Sequence, residues 1–159
     1  GDTPPALYIT PGLARARPDD AARGVEWPNI SPDQMSEAGL AWSIFPNMSI
    51  LQGVTFALCY RARPYGDDPN KCIFESYAIE RYPEGQEPKT EWVYADPTGD
   101  KWGKVLAQDF SNMAAVQRGM KSRAFRGTLP NPHQERKVTN FHRNLVEYMG
   151  TGQLRLLDK

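Results

Sequence analysis

Hydrophobic and polar positions alternate clearly from Leu40 onward. Leu40, Trp42 and Ile44 alternate with Ala41, Ser43 and Phe45, the period of two expected of a half-covered strand. Pro46-Asn47 bends the chain, and Met48 to Gln52 resumes the strand. Gly53 suits a bulge or tight turn. Val54, Phe56, Leu58 and Tyr60 then alternate with Thr55, Ala57, Cys59 and Arg61. Pro64 to Asn70 is a run of turn formers. Beyond it, Lys71 to Tyr82 reads as another long strand, with Ile73, Tyr77 and Ile79 set against Phe74, Ser76 and Ala78. No helical stretch separates these runs, so the pattern predicts an antiparallel meander in which Val54–Arg63 and Lys71–Tyr82 form a hairpin. Glu84 to Thr90 is a polar loop, and Glu91 to Tyr94 is expected to add a short strand.

The period changes near Lys101. Trp102, Val105, Leu106, Asp109, Met113, Val116 and Met120 fall on one stripe of helical spacing. A further helix is announced by Asn131 as N-cap, Pro132 behind it and Gln134 closing a capping box. Its apolar stripe is Val138, Phe141, Leu145 and Met149, and Gly150 is its expected stop. Near the other end, Ser31-Pro32-Asp33-Gln34 predicts a short helix over Pro32 to Ala38. Residues 1–39 otherwise show poor periodicity and read as an N-terminal arm, with residues 40–159 as the principal domain. Strands first and helices last predict an α+β fold with long helices laid on one face of a curved antiparallel sheet.

Composition narrows the class. Hydrophobic residues at 40% and charged residues at 24% are globular values, which argues against disorder. No apolar run approaches the roughly 18 residues of a membrane span, and no signal peptide is visible. Gly1 stands where an initiator Met would, so it is expected to be a cleavage scar with the natural protein beginning upstream. Acidic and basic residues balance at 19 each, so no global drive toward nucleic acid or anionic membrane is expected. Basic residues do crowd between Arg118 and Arg143, where Glu135 is the lone acid. That run is either a solvated face on two helices or a dock for an acidic redox partner or a neighbouring subunit. Cys59 and Cys72 have no metal-ligand spacing, and a cytoplasmic setting predicts free thiols. The two Asn-x-Ser sequons at Asn29 and Asn47 are read as chance matches.

Asp109 is the candidate for chemistry, because an ionised carboxylate on an apolar stripe is costly unless compensated. It can cap a helix that restarts at Met113, or lie half exposed. Alternatively it is a metal ligand, a hard oxygen at the inner end of an apolar pocket, as a non-haem iron(II) site uses. His133 and His142 are nine residues apart, so on one helix they face different ways. His142 reads as a hydrogen-bonded, partly buried side chain. Phe45, Met48, Leu51, Phe56, Val105 and Leu106 read first as core. No hydrolase triad and no phosphate-binding glycine loop is present.

The run Gln108-Asp109-Phe110-Ser111-Asn112-Met113, continuing to Gln117-Arg118-Gly119, is similar to the third-ligand helix of Rieske-type aromatic-ring-hydroxylating oxygenase large subunits. Trp42-Ser43-Ile44-Phe45-Pro46-Asn47 resembles that family's Phe-Pro-Asn strand, and Asn140-Phe141-His142-Arg143 its final helix. The resemblance spans about Leu40 to Gly150 in the family's order. It implies a helix-grip fold in partial copy, in which a sheet wraps a long C-terminal helix and leaves an apolar cavity. It also implies that Asp109 is the carboxylate of a two-His-one-carboxylate Fe(II) site, and that Asn47, Leu51, Val105 and Leu106 line the pocket for an aromatic small molecule. The family also carries a Rieske [2Fe–2S] cluster on C-x-H and C-x2-H pairs, receives electrons from a ferredoxin or reductase, and forms oligomers.

The departures are equally plain. Neither Cys is followed two residues later by His, and no D-x2-H-x4-H segment occurs in this sequence. The expectation is therefore an aromatic-ring-hydroxylating dioxygenase part that binds no cofactor and is inactive alone. The alternative is a stand-alone module derived from the same fold that holds a hydrophobic ligand. A third reading is an assembly domain whose apolar faces another subunit covers.

Overall fold

The computed structural model describes residues 16–152. Residues 16–22 are helical, and helix α1 follows at Pro32–Ala38. Ser31 caps α1 through the expected box: its hydroxyl accepts from the Gln34 backbone N–H, and the Gln34 side chain accepts from the Ser31 N–H at 2.8 Å. The strands are β1 (Ala41–Ile44), β2 (Met48–Gln52), β3 (Phe56–Pro64) and β4 (Cys72–Glu80). They pair antiparallel in the order β1-β2-β3-β4, the meander that short turn-rich connections dictate. A 3₁₀ turn at Asp100–Trp102 leads into helix α2 (Gly103–Gly119), and helix α3 spans Arg136–Met149. Gly150 ends α3 with a positive φ of 62°, the left-handed stop that glycine adopts without strain.

Register sorts the side chains onto two faces. Trp42, Ile50, Cys59 and Tyr77 form one cross-strand row, and Ile44, Met48, Arg61 and Glu75 form the next on the same face. Leu51, Leu58 and Ala78 lie on the other face, where Tyr60 stacks on Phe74 at 5.9 Å. The sheet's tightest point is Cys59, whose side chain is fully buried. Glu75 accepts from both Arg61 and Arg63 across the β3–β4 pair, at 2.6 and 2.7 Å. These guanidinium hydrogen bonds, Arg63 first and Arg61 second, hold the Glu75 carboxyl down at about 2.

The chain divides into two compact units. One holds the chain up to Pro88 together with the chain from Arg136, and the other is Lys89–Glu135. The first contains the sheet and α3, the second contains α2. Residue 39 lies within the first unit. The expected loose arm is also more ordered than its composition suggests, because residues 16–22 are helical and Asp20 and Val25 are buried. Asp20 accepts from Thr55 Oγ1 at 2.6 Å and from Trp27 Nε1 at 2.7 Å, and it pairs with Arg23. That set ties the arm to the start of the β3–β4 hairpin and keeps the Asp20 carboxyl at about 2, with the Thr55 hydroxyl as the largest cause.

Three further expectations need correction. β3 begins at Phe56 rather than Val54, because Gly53 N–H closes a tight turn on the Phe56 carbonyl at 2.8 Å. Glu91–Tyr94 is not a strand. Helix α3 begins at Arg136: Asn131 Oδ1 accepts from His133 and Gln134 N–H at 2.9 and 3.0 Å, and Glu135 rather than Gln134 returns to the Asn131 N–H. His133 therefore sits in a turn ahead of the helix.

Within the first unit, α3 meets the β1–β2 hairpin at its tip. Phe45 contacts Phe141 and Tyr148 with ring centroids 5.8 and 5.9 Å apart, and the Lys137 ammonium donates to the Ala41 carbonyl. A four-stranded antiparallel sheet with a long amphipathic C-terminal helix is an α+β fold, the helix-grip architecture in partial copy. Its partial nature shows in what stays uncovered: Trp42, Ile44, Leu51 and Phe56 are each more than two-fifths exposed. Complete domains of this size cover such sheet faces.

Candidate functional site

Asp109 lies in the middle of α2, as the periodicity predicts. Its environment differs from the expectation. Asp109 is exposed, and so are Val105 at 73%, Met113 at 52%, Val116 at 55% and Met120, whereas Trp102 and Leu106 of the same stripe are half-covered. The half-covered side of α2 is instead Leu106, Ala107 and Phe110. Trp102 explains that choice: its ring meets Phe110 edge to face at 5.1 Å, while its Nε1–H donates to the Asp96 carbonyl at 2.9 Å. The Trp102–Phe110 contact thus covers the edge of the stripe nearest Leu106 and leaves Val105, Asp109, Met113 and Val116 to solvent. The helix runs unbroken through Asp109, so the carboxylate is not an N-cap.

Asn47 occupies the tip of the β1–β2 hairpin. Its Nδ2 donates to the Ala62 carbonyl at 2.8 Å, and its own carbonyl accepts from the Ala62 N–H at 3.1 Å. Asn47 therefore extends the β2–β3 ladder beyond Met48. It also lines a cavity of about 410 Å³ between the hairpin tip and α3, together with Phe45, Lys137, Asn140, Phe141 and Asn144. The Phe-Pro-Asn segment and the final helix, separated by more than ninety residues in the chain (96 between Ala41 and Lys137), are brought together here. Leu51 is not among the lining residues; it lies on the Leu58 face of the sheet and is 43% exposed. Val105 and Leu106 belong with Asp109 to α2, in the other unit.

Among the described residues no three His, Cys, Asp or Glu side chains converge. Asp109 offers one exposed carboxylate, and hard oxygen alone favours magnesium or calcium over iron(II). His142 is exposed on α3, its ring against Phe141 at 5.4 Å, rather than partly buried as its neighbours suggested. The basic run is also divided: Arg118 ends α2, Lys121, Arg123 and Arg126 follow it in turns and loop, and Arg136, Lys137 and Arg143 lie on α3. Cys59 and Cys72 are free thiols, the first buried and the second exposed.

Sequence reasoning missed Asp20, and it read Lys137 only as one charge in a basic run. The Asp20–Arg23 spacing of three on a helix was a visible signal. Thr55, 35 residues away, was not. Lys137, Asn140, Phe141 and Asn144 do have a signal, the i, i+3, i+4, i+7 spacing of one helix face.

A meander sheet with a C-terminal helix in one unit and a separate helix bearing Asp-x-x-Asn-Met in the other make an α+β protein. The chain belongs to the ring-hydroxylating alpha subunit family: the model of that family's catalytic domain matches residues 5–151. No match was found among curated proteins or among solved structures. The family uses iron and a Rieske cluster, acts on aromatic substrates and works in assemblies with electron-transfer partners. Among the described residues, no helix is long and apolar enough to cross a membrane.

Proposed function

We propose that this chain is the C-terminal part of the catalytic domain of an aromatic-ring-hydroxylating dioxygenase, and that it is inactive alone. The observation that carries this reading is the Asp109-x-x-Asn112-Met113 run on an unbroken helix inside a family match that covers most of the chain. In the complete enzyme Asp109 would supply the single carboxylate that holds the iron, beside two histidines that this sequence does not contain, and the metal would supply the chemistry of dioxygen activation. Asn47, Leu51, Val105 and Leu106 contact the aromatic substrate. The uncovered Asp109 stripe supports this reading: a ligand helix needs an apolar cover, and here Val105, Met113 and Val116 lack one. The basic residues around Arg118 and Lys121 suit an acidic electron donor, a ferredoxin or reductase. A cytoplasmic location and a role in aromatic hydrocarbon catabolism accord with that activity.

Anaerobic titration of the isolated chain with iron(II), followed by calorimetry, is the test. One carboxylate cannot supply the affinity of three ligands held on one frame, so no stoichiometric tight binding is expected. When the chain follows a segment bearing D-x2-H-x4-H, Asp109→Ala should lower iron occupancy by about tenfold or more, since even outer-shell changes cost that much. Stoichiometric tight binding by the isolated chain, abolished by Asp109→Ala, would overturn the reading.

A further inference from the structure

The loop ahead of α2 is built around one carbonyl. The Asp96 carbonyl accepts from the Gly99 N–H at 2.9 Å and from Trp102 Nε1–H at 2.9 Å, which uses both of its lone pairs. The Asp96 carboxylate accepts from the Thr98 N–H at 2.8 Å and from the Thr98 hydroxyl, so the turn is closed by side chain and backbone together. Gly99 fits that corner because a Cβ there would stand 3.1 Å from the same carbonyl oxygen. Trp102 carries this anchorage into the helix. It ends the 3₁₀ turn and directly precedes Gly103, the first residue of α2. Trp102, Leu106 and Phe110 are spaced by four, the spacing of neighbours along one helix face, and all three are half-covered. The Trp102 ring meets Phe110 edge to face at 5.1 Å, a favoured aromatic geometry. The loop is thus tied to the residue next to Asp109 across about two turns of helix. Successive helix residues point about 100° apart, so a fixed Phe110 also fixes the direction in which Asp109 leaves the helix. Val105, Met113 and Val116 exert no counter-pull, because they are exposed.

We propose that Trp102 is a positioning residue for the Asp109 carboxylate: held by the Asp96 carbonyl and packed on Phe110, it sets the rotation of α2 about its axis. The inference rests on the reading of Asp109 as an iron ligand. Trp102 acts only through the helix. Its contribution is preorganisation: a ligand whose direction is fixed before the metal arrives loses less freedom on binding. Every residue of the set lies in the second unit, Lys89–Glu135, so the device is complete within the element that carries Asp109.

The test has a metal-free arm and an iron arm. In the metal-free chain, the Trp102 indole N–H should exchange more slowly than a solvated indole in NMR spectra, and Phe110→Ala should remove that protection. In the chain preceded by a segment bearing D-x2-H-x4-H, anaerobic iron(II) titration should show affinity falling about tenfold in Trp102→Ala, the usual effect of a group behind a ligand. Trp102→Phe keeps a ring for Phe110 but loses the donor, and should lose about threefold, the effect of one neutral hydrogen bond. Ala115→Gly lowers helix stability without touching the clamp, and should leave the affinity unchanged. Affinity unchanged in Trp102→Ala, an equal loss in Ala115→Gly, or an indole N–H that exchanges freely in the unsubstituted chain would overturn the proposal. Failure of the underlying reading looks different: the unsubstituted extended chain would take up no iron, or would hold it as tightly after Asp109→Ala, and this inference would fall with it.

Discussion

At the scale of single residues, a buried carboxylate with three donors ties the segment before β1 to the β3–β4 hairpin. Asp20 is 4% exposed and satisfies three donors, from Thr55, Arg23 and Trp27. Hydrogen bonds to a charged group are worth about 1.5–3 kcal/mol each when measured by deletion. Asp20→Asn keeps the shape but loses the charge, and should destabilise the first unit by about 2 kcal/mol in urea unfolding. The same group sets an acid limit. Its carboxyl titrates at about 2 when folded against an ordinary value of 3.8, and Glu75 at about 2 against 4.5. Between those values the unfolded chain binds more protons, so stability is fully present above about pH 5 and is lost as pH falls toward 2. Trp27 fluorescence followed against pH should show that loss, and in Asp20→Asn the acid limb should be shallower. Thiol chemistry gives a second residue-scale outcome. Cys72 is exposed and Cys59 is fully buried, and access governs thiolate reaction. A disulfide reagent should label one thiol per native chain promptly, and the second only on addition of denaturant.

At the scale of elements, the hairpins depend on their turns. Gly53 has an ordinary φ, so its requirement is steric. A Cβ there would stand 2.7 Å from Phe56 Cδ1 and 3.0 Å from the Phe56 carbonyl oxygen. The carbonyl is the acceptor of the turn's own hydrogen bond from Gly53 N–H, so it cannot move away without opening the turn. Gly53→Ala should therefore cost about 1–3 kcal/mol, the usual range for overpacking, and calorimetric melting would show it. The ring of Phe56 is half exposed, and its rotation would relieve only the side-chain part of the clash. Helix α2 teaches the complementary lesson. Its stripe of Val105, Asp109, Met113 and Val116 was legible from spacing, but the anchor that chose the neighbouring face was Trp102 on Phe110.

At the scale of the whole molecule, the apolar surface exceeds what two compact units can cover. Trp42, Ile44, Phe56, Val105, Met113 and Val116 are all between 45% and 73% exposed. Large apolar side chains left exposed in each unit invite association or a partner. The isolated chain should bind a hydrophobic fluorescent dye while keeping a cooperative β-sheet signal, and it should associate as its concentration rises. Dye fluorescence beside sedimentation velocity would measure both. A strictly monomeric chain that leaves the dye dark would mean that its apolar faces are already covered.

The strands, their antiparallel order, the short helix at Pro32, the two long helices and the family itself were all determined by the sequence alone. Period two and period 3.6 are local properties, capping boxes span four residues, and Asp-x-x-Asn-Met is a contiguous motif. What only the tertiary structure decided are the relations between distant residues. Thr55 reaching Asp20, Asn47 spending its amide on Ala62, and Lys137 reaching the Ala41 carbonyl join positions 15 to 96 residues apart. No local pattern records such pairs, because each exists only after the chain has been brought back on itself. The exposure of Asp109 is of the same kind. Spacing fixes which residues share a helix face, and packing alone fixes which face is covered.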